Sequence, residues 1–190
     1  MPDGITRVIL IRHAESRPSA EVPESEWPLS ERGIAQARAL VDVLATERID
    51  VIASSPYLRA HETVRPLAAS RGLPIALVPN LRERKLVPGH DPEWERHLVR
   101  AWQNFDYALP GCESGKMCQT RVRQALQTLA QAHVGQTVVA ASHGNAIALF
   151  LNALDATFGF ERWQAMKTPD LFAIRWCDSS FTNDRALGTT

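Results

Sequence analysis

An α/β fold with a parallel sheet is predicted by three features of the chain. Short apolar runs, Val8-Ile9-Leu10-Ile11, Val51-Ile52-Ala53 and Val138-Val139-Ala140-Ala141, have the length and side-chain type of strands covered on both faces. Stretches of helical period alternate with them. A helix between the second run and Ile75–Val78 is long enough to be a crossover, and a strand–helix–strand unit of this size makes parallel neighbours.

Each element has its own signal. After the first strand comes a polar loop, 15–28, holding Pro18, Pro23 and Pro28. Ser30 is a good N-cap, and Ile34, Ala37, Val41 and Leu44 then recur at helical spacing. The second strand spans 49–53. A helix over 57–70 starts after Pro56 and stops near Gly72. Residues 81–115 break the rhythm. Pro88, Gly89, Pro92, Pro110 and Gly111 are interleaved there with Trp94, Trp102, Phe105 and Tyr107. This stretch reads as a helical insertion, about one-third of it loop, and 84–115 as a lid over a site. Its aromatic residues could equally pack onto the body. A second long helix covers 114–133, with Val122, Ala125, Leu126 and Leu129 as its buried stripe. A strand at 137–141 and an apolar helix at 145–154 follow. Leu171 to Trp176 reads as a last strand, at an edge and antiparallel. Residues 1–178 therefore form a single domain, and 179–190 a flexible tail with little to bury.

Composition narrows the function. The chain has 190 residues, 45% of them hydrophobic, and 21 basic against 21 acidic side chains. Zero net charge argues against a general nucleic-acid binder while leaving room for a local basic pocket. It also permits self-association as a homodimer. No apolar run approaches the ~20 residues of a membrane helix. The N-terminal apolar run is too short for a signal peptide. Cys112, Cys118 and Cys177 have no metal-ligand spacing and read as free structural thiols, so a cytoplasmic location is expected.

The strand ends carry the chemistry. Arg12-His13 follows the first run, Arg59 follows Ser54-Ser55-Pro56 after the second, and Ser142-His143-Gly144 follows the fourth strand. Open α/β sheets bind ligands at the carboxyl ends of their strands. Two arginines and two histidines brought together there repel one another unless an anion sits between them, and a phosphoryl group is the natural guest. Arginine forks match its oxygens. A neutral imidazole, kept neutral by neighbouring arginines, can attack phosphorus, which fits His13. A second imidazole, His143, can donate to phosphoryl oxygens. A carboxylic acid must protonate the leaving group. Glu83, after the third strand in Leu81-Arg82-Glu83, is placed for this, with Glu113 and Glu15 as alternatives. His61, His97 and His133 lack such a context. His90, in the lid segment, could enter the pocket. Arg82, Arg84 and Lys85 are either a solvated run or a site for substrate anions.

These motifs resemble the histidine phosphatase superfamily, which includes cofactor-dependent phosphoglycerate mutases and many small phosphatases. The family's Arg-His-Gly is similar to Arg12-His13-Ala14. Its Pro-Leu-Thr, glycine and Gln-Ala resemble Pro28-Leu29-Ser30, Gly33 and Gln36-Ala37. Ser54-Ser55, Arg59-Ala60 and Thr63 resemble a third motif, Glu83 stands in Leu-x-Glu, and Ser142-His143-Gly144 closes the series. The resemblance implies a three-layer α/β/α sandwich and a phosphohistidine on His13. Arg12, Arg59 and His143 would hold the phosphoryl group, and Glu83 would act as acid and then base. It implies no metal and no other cofactor. Where the family commonly has a phosphate-touching asparagine, this chain has Ser19, which would bind phosphate with a shorter reach. The family's Gly-x-Trp-Glu-Gly after the acid is missing.

The expected activity is hydrolysis of a small phosphorylated substrate, a phosphomonoester. The alternatives are a phosphoglycerate mutase, a protein phosphohistidine phosphatase and a non-catalytic phosphate-ligand binder. The chain is short for a mutase and lacks the extra segments of that group. The 94–107 segment speaks against the shorter phosphohistidine phosphatases.

Overall fold

The computed structural model describes residues 4–89 and 91–184. His90 lies outside the described residues, and so does the chain beyond Asp184. Six strands form one sheet: β1 (Thr6–Arg12), β2 (Val51–Ser54), β3 (Ile75–Leu77), β4 (Thr137–Ser142), β5 (Asp170–Cys177) and β6 (Ser180–Asn183). Their spatial order is β3-β2-β4-β1-β5-β6. The pairs β1–β4, β4–β2 and β2–β3 are parallel, and β5 and β6 add antiparallel. The helices are α1 (Glu31–Val43), α2 (Leu58–Arg71), α3 (Trp94–Gln103), α4 (Gly115–Ala132), α5 (Gly144–Leu154) and α6 (Phe160–Gln164).

Alternation along the central strands builds the layers, because successive strand side chains point to opposite faces. Val8, Leu10, Val138 and Ala140 pack with α4 and α5, while Ile9, Ile11, Val139 and Ala141 pack with α1 and α2. All eight are fully buried. This is the α/β/α sandwich that the strand pattern and the motif resemblance led us to expect.

The caps fall where the sequence put them. Ser30 accepts a hydrogen bond from Gly33 N at the start of α1, and Ser114 accepts one from Met117 N at the start of α4. Gly72 ends α2 in the left-handed region at φ 63°, a conformation glycine adopts without steric penalty. All four residues expected to form the α4 stripe are buried.

Four expectations are corrected. The buried face of α1 is Gly33, Ala37 and Leu40, followed by Leu44. Ile34 is exposed, because α1 turns its Gly33 edge onto the backbone of Glu15. A Cβ at position 33 would lie 2.0 Å from the Glu15 carbonyl oxygen. Leu171–Trp176 is not an edge strand, since β5 lies between β1 and β6. The tail does not begin at 179: residues 180–183 form β6, and Phe181 buries its ring against Phe150 and Trp176. In the insertion, helix and loop exchange proportions. Its one α-helix, α3, has 10 residues, and prolines and glycines keep most of the rest irregular. Trp102 lies edge-on or tilted against Phe105, Phe160 and Trp163 with ring centroids 5.8–6.2 Å apart, so it packs onto the body, whereas Trp94 is exposed. No helix among the described residues is long and apolar enough to cross a membrane.

Candidate active site

Register brings the motifs to one rim. Arg12 pairs with Ser142 across β1–β4, and Ser54 pairs with Ala141 across β2–β4, so the three parallel strands end level. The ladder runs one step further. His13 N donates to Ser142 O at 3.0 Å, and Ser55 N donates to Ala141 O at 2.9 Å. Arg12 continues the α5 side of the sheet. His13 and His143 continue the α2 side, with ring centroids 5.2 Å apart.

His13 has a defined tautomer. Its Nδ1 lies 2.7 Å from Ala14 O. A carbonyl can only accept, so Nδ1 carries the proton and Nε2 keeps its lone pair. That lone pair accepts from Arg59 Nε at 3.1 Å. Burial first, and then the Arg59 charge, push the His13 pKa from 6.5 down to about 3. Ala14 N donates to Thr63 Oγ1 at 2.9 Å, and Thr63 Oγ1 donates to Arg59 O at 2.6 Å. One hydroxyl thus ties the turn after His13 to the first turns of α2.

His143 is fully buried. Burial, followed by the charge of Arg59, holds its pKa well below 6.5. Its Nε2 lies 2.8 Å from Ser55 Oγ, which also accepts from Tyr57 N at 3.2 Å. His143 Nδ1 and Arg12 Nε are buried without a partner among the described residues. Arg12 Nη1 donates to Met166 O at 2.7 Å. Burial lowers the Arg12 pKa, chiefly against the opposing field of Glu83, but a guanidinium stays charged. Gly144 makes this approach possible, since a Cβ there would sit 3.3 Å from Arg12 Nε.

Glu83 faces the amino end of α5. Its carboxylate accepts from Arg84 N at 2.8 Å, Ala146 N at 3.0 Å and Asn145 N at 3.2 Å. Burial raises its pKa against the opposing pull of the Arg84 amide. The two alternatives are engaged elsewhere. Glu113 takes a bidentate fork from Arg121 at 2.7 and 2.5 Å. Glu15 accepts from Ser30 Oγ at 2.7 Å, at the start of α1.

The structure therefore brings together Arg12, His13, Arg59 and His143, and it holds the Glu83 carboxylate on the amides of Asn145 and Ala146, just after His143. Ser19 is not joined to them. Its hydroxyl accepts from Glu21 N at 3.1 Å, closing a local turn. It is the Ser19 carbonyl that acts near the site, by accepting from Trp27 Nε1 at 2.8 Å. The Trp27 ring then lies 5.5 Å from the Arg59 guanidinium. In the basic run, Arg84 is buried, so it is not solvated; it donates to Glu113 O and Tyr107 O, and its Nη1 has no partner among the described residues.

Sequence reasoning missed Glu24. It lies in a 3-10 turn, Glu24–Glu26, inside the polar loop. Arg59 Nη1 donates to its carbonyl and Nη2 to its carboxylate, both at 2.6 Å. A carboxylate thus occupies the outer fork of the phosphate-type arginine. No helical or strand period marks the loop, so nothing in the pattern singled this residue out. Among the described residues there is no cluster of three or more His, Cys, Asp or Glu that could hold a metal ion.

Two outcomes follow from this geometry. Glu24→Gln is expected to tighten inorganic phosphate binding about five-fold, because a half-exposed ion pair is worth ~1 kcal/mol or less. Calorimetric titration checks this, and weaker binding would show that Glu24 helps to hold the anion. The depressed histidines also set a pH dependence. Below 6.5 the unfolded chain binds protons that buried His13 and His143 refuse, so stability falls as pH falls. The slope approaches ~1.4 kcal/mol per pH unit for each histidine. Urea unfolding between pH 6.5 and 5 should show this decline, and His143→Asn should make it shallower. A flat or rising profile would contradict the neutral, buried histidines.

The same arrangement of strands and motifs is found in known proteins. The sequence matches the histidine phosphatase superfamily (branch 1) over residues 8–184. It is 31% identical over 155 residues to phosphoserine phosphatase 1 of Hydrogenobacter thermophilus, covering 73% of this chain and 71% of the relative. It is 29% identical over 161 residues to a probable phosphoglycerate mutase of an Enterobacter species, covering 78% and 74%. A mycobacterial glucosyl-3-phosphoglycerate phosphatase superposes with a TM-score of 0.74 at 22% identity, over 90% of both chains. The chain belongs to branch 1 of the histidine phosphatase superfamily and is an enzyme of its phosphatase kind.

Proposed function

We propose that the protein hydrolyses small phosphomonoesters through a phosphohistidine on His13. The observation that carries this reading is the His13 imidazole. Its proton is held on Nδ1 by Ala14 O, and its Nε2 lone pair points at a buried arginine. Imidazole nucleophilicity requires a free lone pair, and this one stays unprotonated across the physiological range.

In the first step Nε2 attacks phosphorus, and the bond from phosphorus to the ester oxygen breaks. Arg12 and Arg59 take the phosphoryl oxygens, with Glu24 giving way on Arg59. Ser55 already accepts from Tyr57 N, so its own proton is available to His143 Nε2. That leaves the imidazole proton on Nδ1, the atom without a partner, as a further donor to the phosphoryl group. Glu83, its pKa raised by burial, gives its proton to the leaving alkoxide. In the second step Glu83 takes a proton from water, the hydroxide oxygen bonds to phosphorus, and the bond from phosphorus to Nε2 breaks. An ester and water become an alcohol and phosphate, and the enzyme is restored. The relatives named as phosphatases support hydrolysis as the outcome.

The test uses p-nitrophenyl phosphate, whose leaving group needs little protonation, beside an alkyl phosphate. His13→Ala should reduce turnover of both at least ~10³-fold while the protein still melts cooperatively. Residual turnover above a tenth of wild type would overturn the assignment. Glu83→Gln should slow the alkyl ester by about 10²–10⁴ and the aryl ester far less. Equal losses on both esters would remove Glu83 from the acid role.

A further inference from the structure

A buried guanidinium outside the phosphate site contacts the backbone that leads into Glu83. Arg121, on α4, is 7% exposed, and every one of its N–H groups is engaged. Nε and one Nη2 proton go to the two oxygens of Glu113, at 2.7 and 2.5 Å. The other Nη2 proton faces Cys118 Sγ at 3.3 Å. The two Nη1 protons go to Asn80 O at 2.8 Å and Arg82 O at 3.0 Å. A guanidinium has five donors, so none is left over.

The segment from Asn80 to Lys85 has no strand or α-helix to hold it. Its carbonyls are fixed from outside instead. Ser142 Oγ donates to Leu81 O at 2.7 Å, from the same strand end that leads into His143. Glu113 N donates to Lys85 O at 2.9 Å, and Arg84 Nε donates to Glu113 O at 2.9 Å. Residues 81, 82, 84 and 85 are therefore all tethered, and three of those four tethers run through Glu113 or Arg121. A buried ion pair adds little net stability, because desolvation offsets its attraction. Its value lies in the fixed geometry of the fork. Misplacing a reacting group by about 1 Å can lower a rate ~10²-fold.

We propose that Arg121, paired with Glu113, is a positioning residue for Glu83: it fixes the loop so that the carboxylate meets the leaving-group oxygen. This rests on the reading of Glu83 as the general acid. Lysine at 121 would keep the charge but offers three protons from one centre, so it cannot span Glu113 and both carbonyls.

The experiment is a cycle in Arg121 and Glu83, measured with the alkyl and aryl phosphates. Arg121→Met should lower kcat for the alkyl ester by about 10- to 100-fold and for p-nitrophenyl phosphate by less than about threefold. Arg121→Lys should fall between wild type and Arg121→Met. Once Glu83→Gln has removed the acid, adding Arg121→Met should change little, within about twofold. Arg121→Met strands a buried Glu113 carboxylate, which works against accumulation of folded protein. The paired change Arg121→Met with Glu113→Leu removes both charges and is expected to fold and to show the same leaving-group split. Equal losses on both esters, or losses that multiply in the Glu83→Gln background, would overturn the positioning role. Should Glu83→Gln alone show no leaving-group dependence, the acid assignment itself fails, and that is visible before any Arg121 variant is measured.

Discussion

Positive charge is buried at the rim of the sheet, and the surrounding residues are arranged to tolerate it. Arg59 is 3% exposed, and Arg12 reaches the same rim from the end of β1. Neither guanidinium can lose its proton, so nearby groups must supply electron density or stay neutral. Met166 O and the Glu24 carboxylate supply it. The imidazoles of His13 and His143 stay neutral, through burial and then through the charge of Arg59. One electrostatic condition thereby makes the rim receptive to an anion and leaves a lone pair on His13. In the proposed reaction, attracting phosphate and attacking it are consequences of the same burial.

Three glutamates near this rim show how environment separates one chemical group into different behaviours. Glu24 meets a guanidinium at the half-open edge of the site, with its own side chain partly exposed. Glu83 meets backbone amides at the head of α5, where burial favours its protonated form. Glu113 meets the full fork of a buried arginine as a fixed structural partner.

The fold was legible because its core strands are continuous apolar runs and its helices carry ordinary caps. The site was legible where chemistry sits directly at a strand end, as with Arg12, His13 and His143, since strand ends are fixed by the ladder. Other features depended on packing between distant segments. Leu40 replaced Ile34 on the buried face of α1 because the close approach of Gly33 to Glu15 rotates the helix, and periodicity over a few residues admits both phases. β6 is short and half polar, and it is held by Phe181 packing on Phe150. Ser19 was carried over by resemblance, but the local turn to Glu21 captured its hydroxyl. Glu24 meets Arg59 35 residues away, and Arg121 reaches carbonyls 39 and 41 residues away, which no local pattern encodes.

The strand that delivers Arg12 and His13 is among the earliest parts of the chain, yet both its neighbours come late. β1 pairs with β4 and β5, and Arg12 is matched to Ser142 on one side and Asp170 on the other. Asp184, beyond β6, then closes ion pairs to Arg7 and Arg175. During synthesis the N-terminal strand must therefore wait, apolar and unpaired, while more than a hundred residues emerge after it. Contacts of such long range slow folding and leave edges open to wrong partners. The β2–β3 pair can assemble locally, whereas the rim forms only when β4 arrives between β2 and β1.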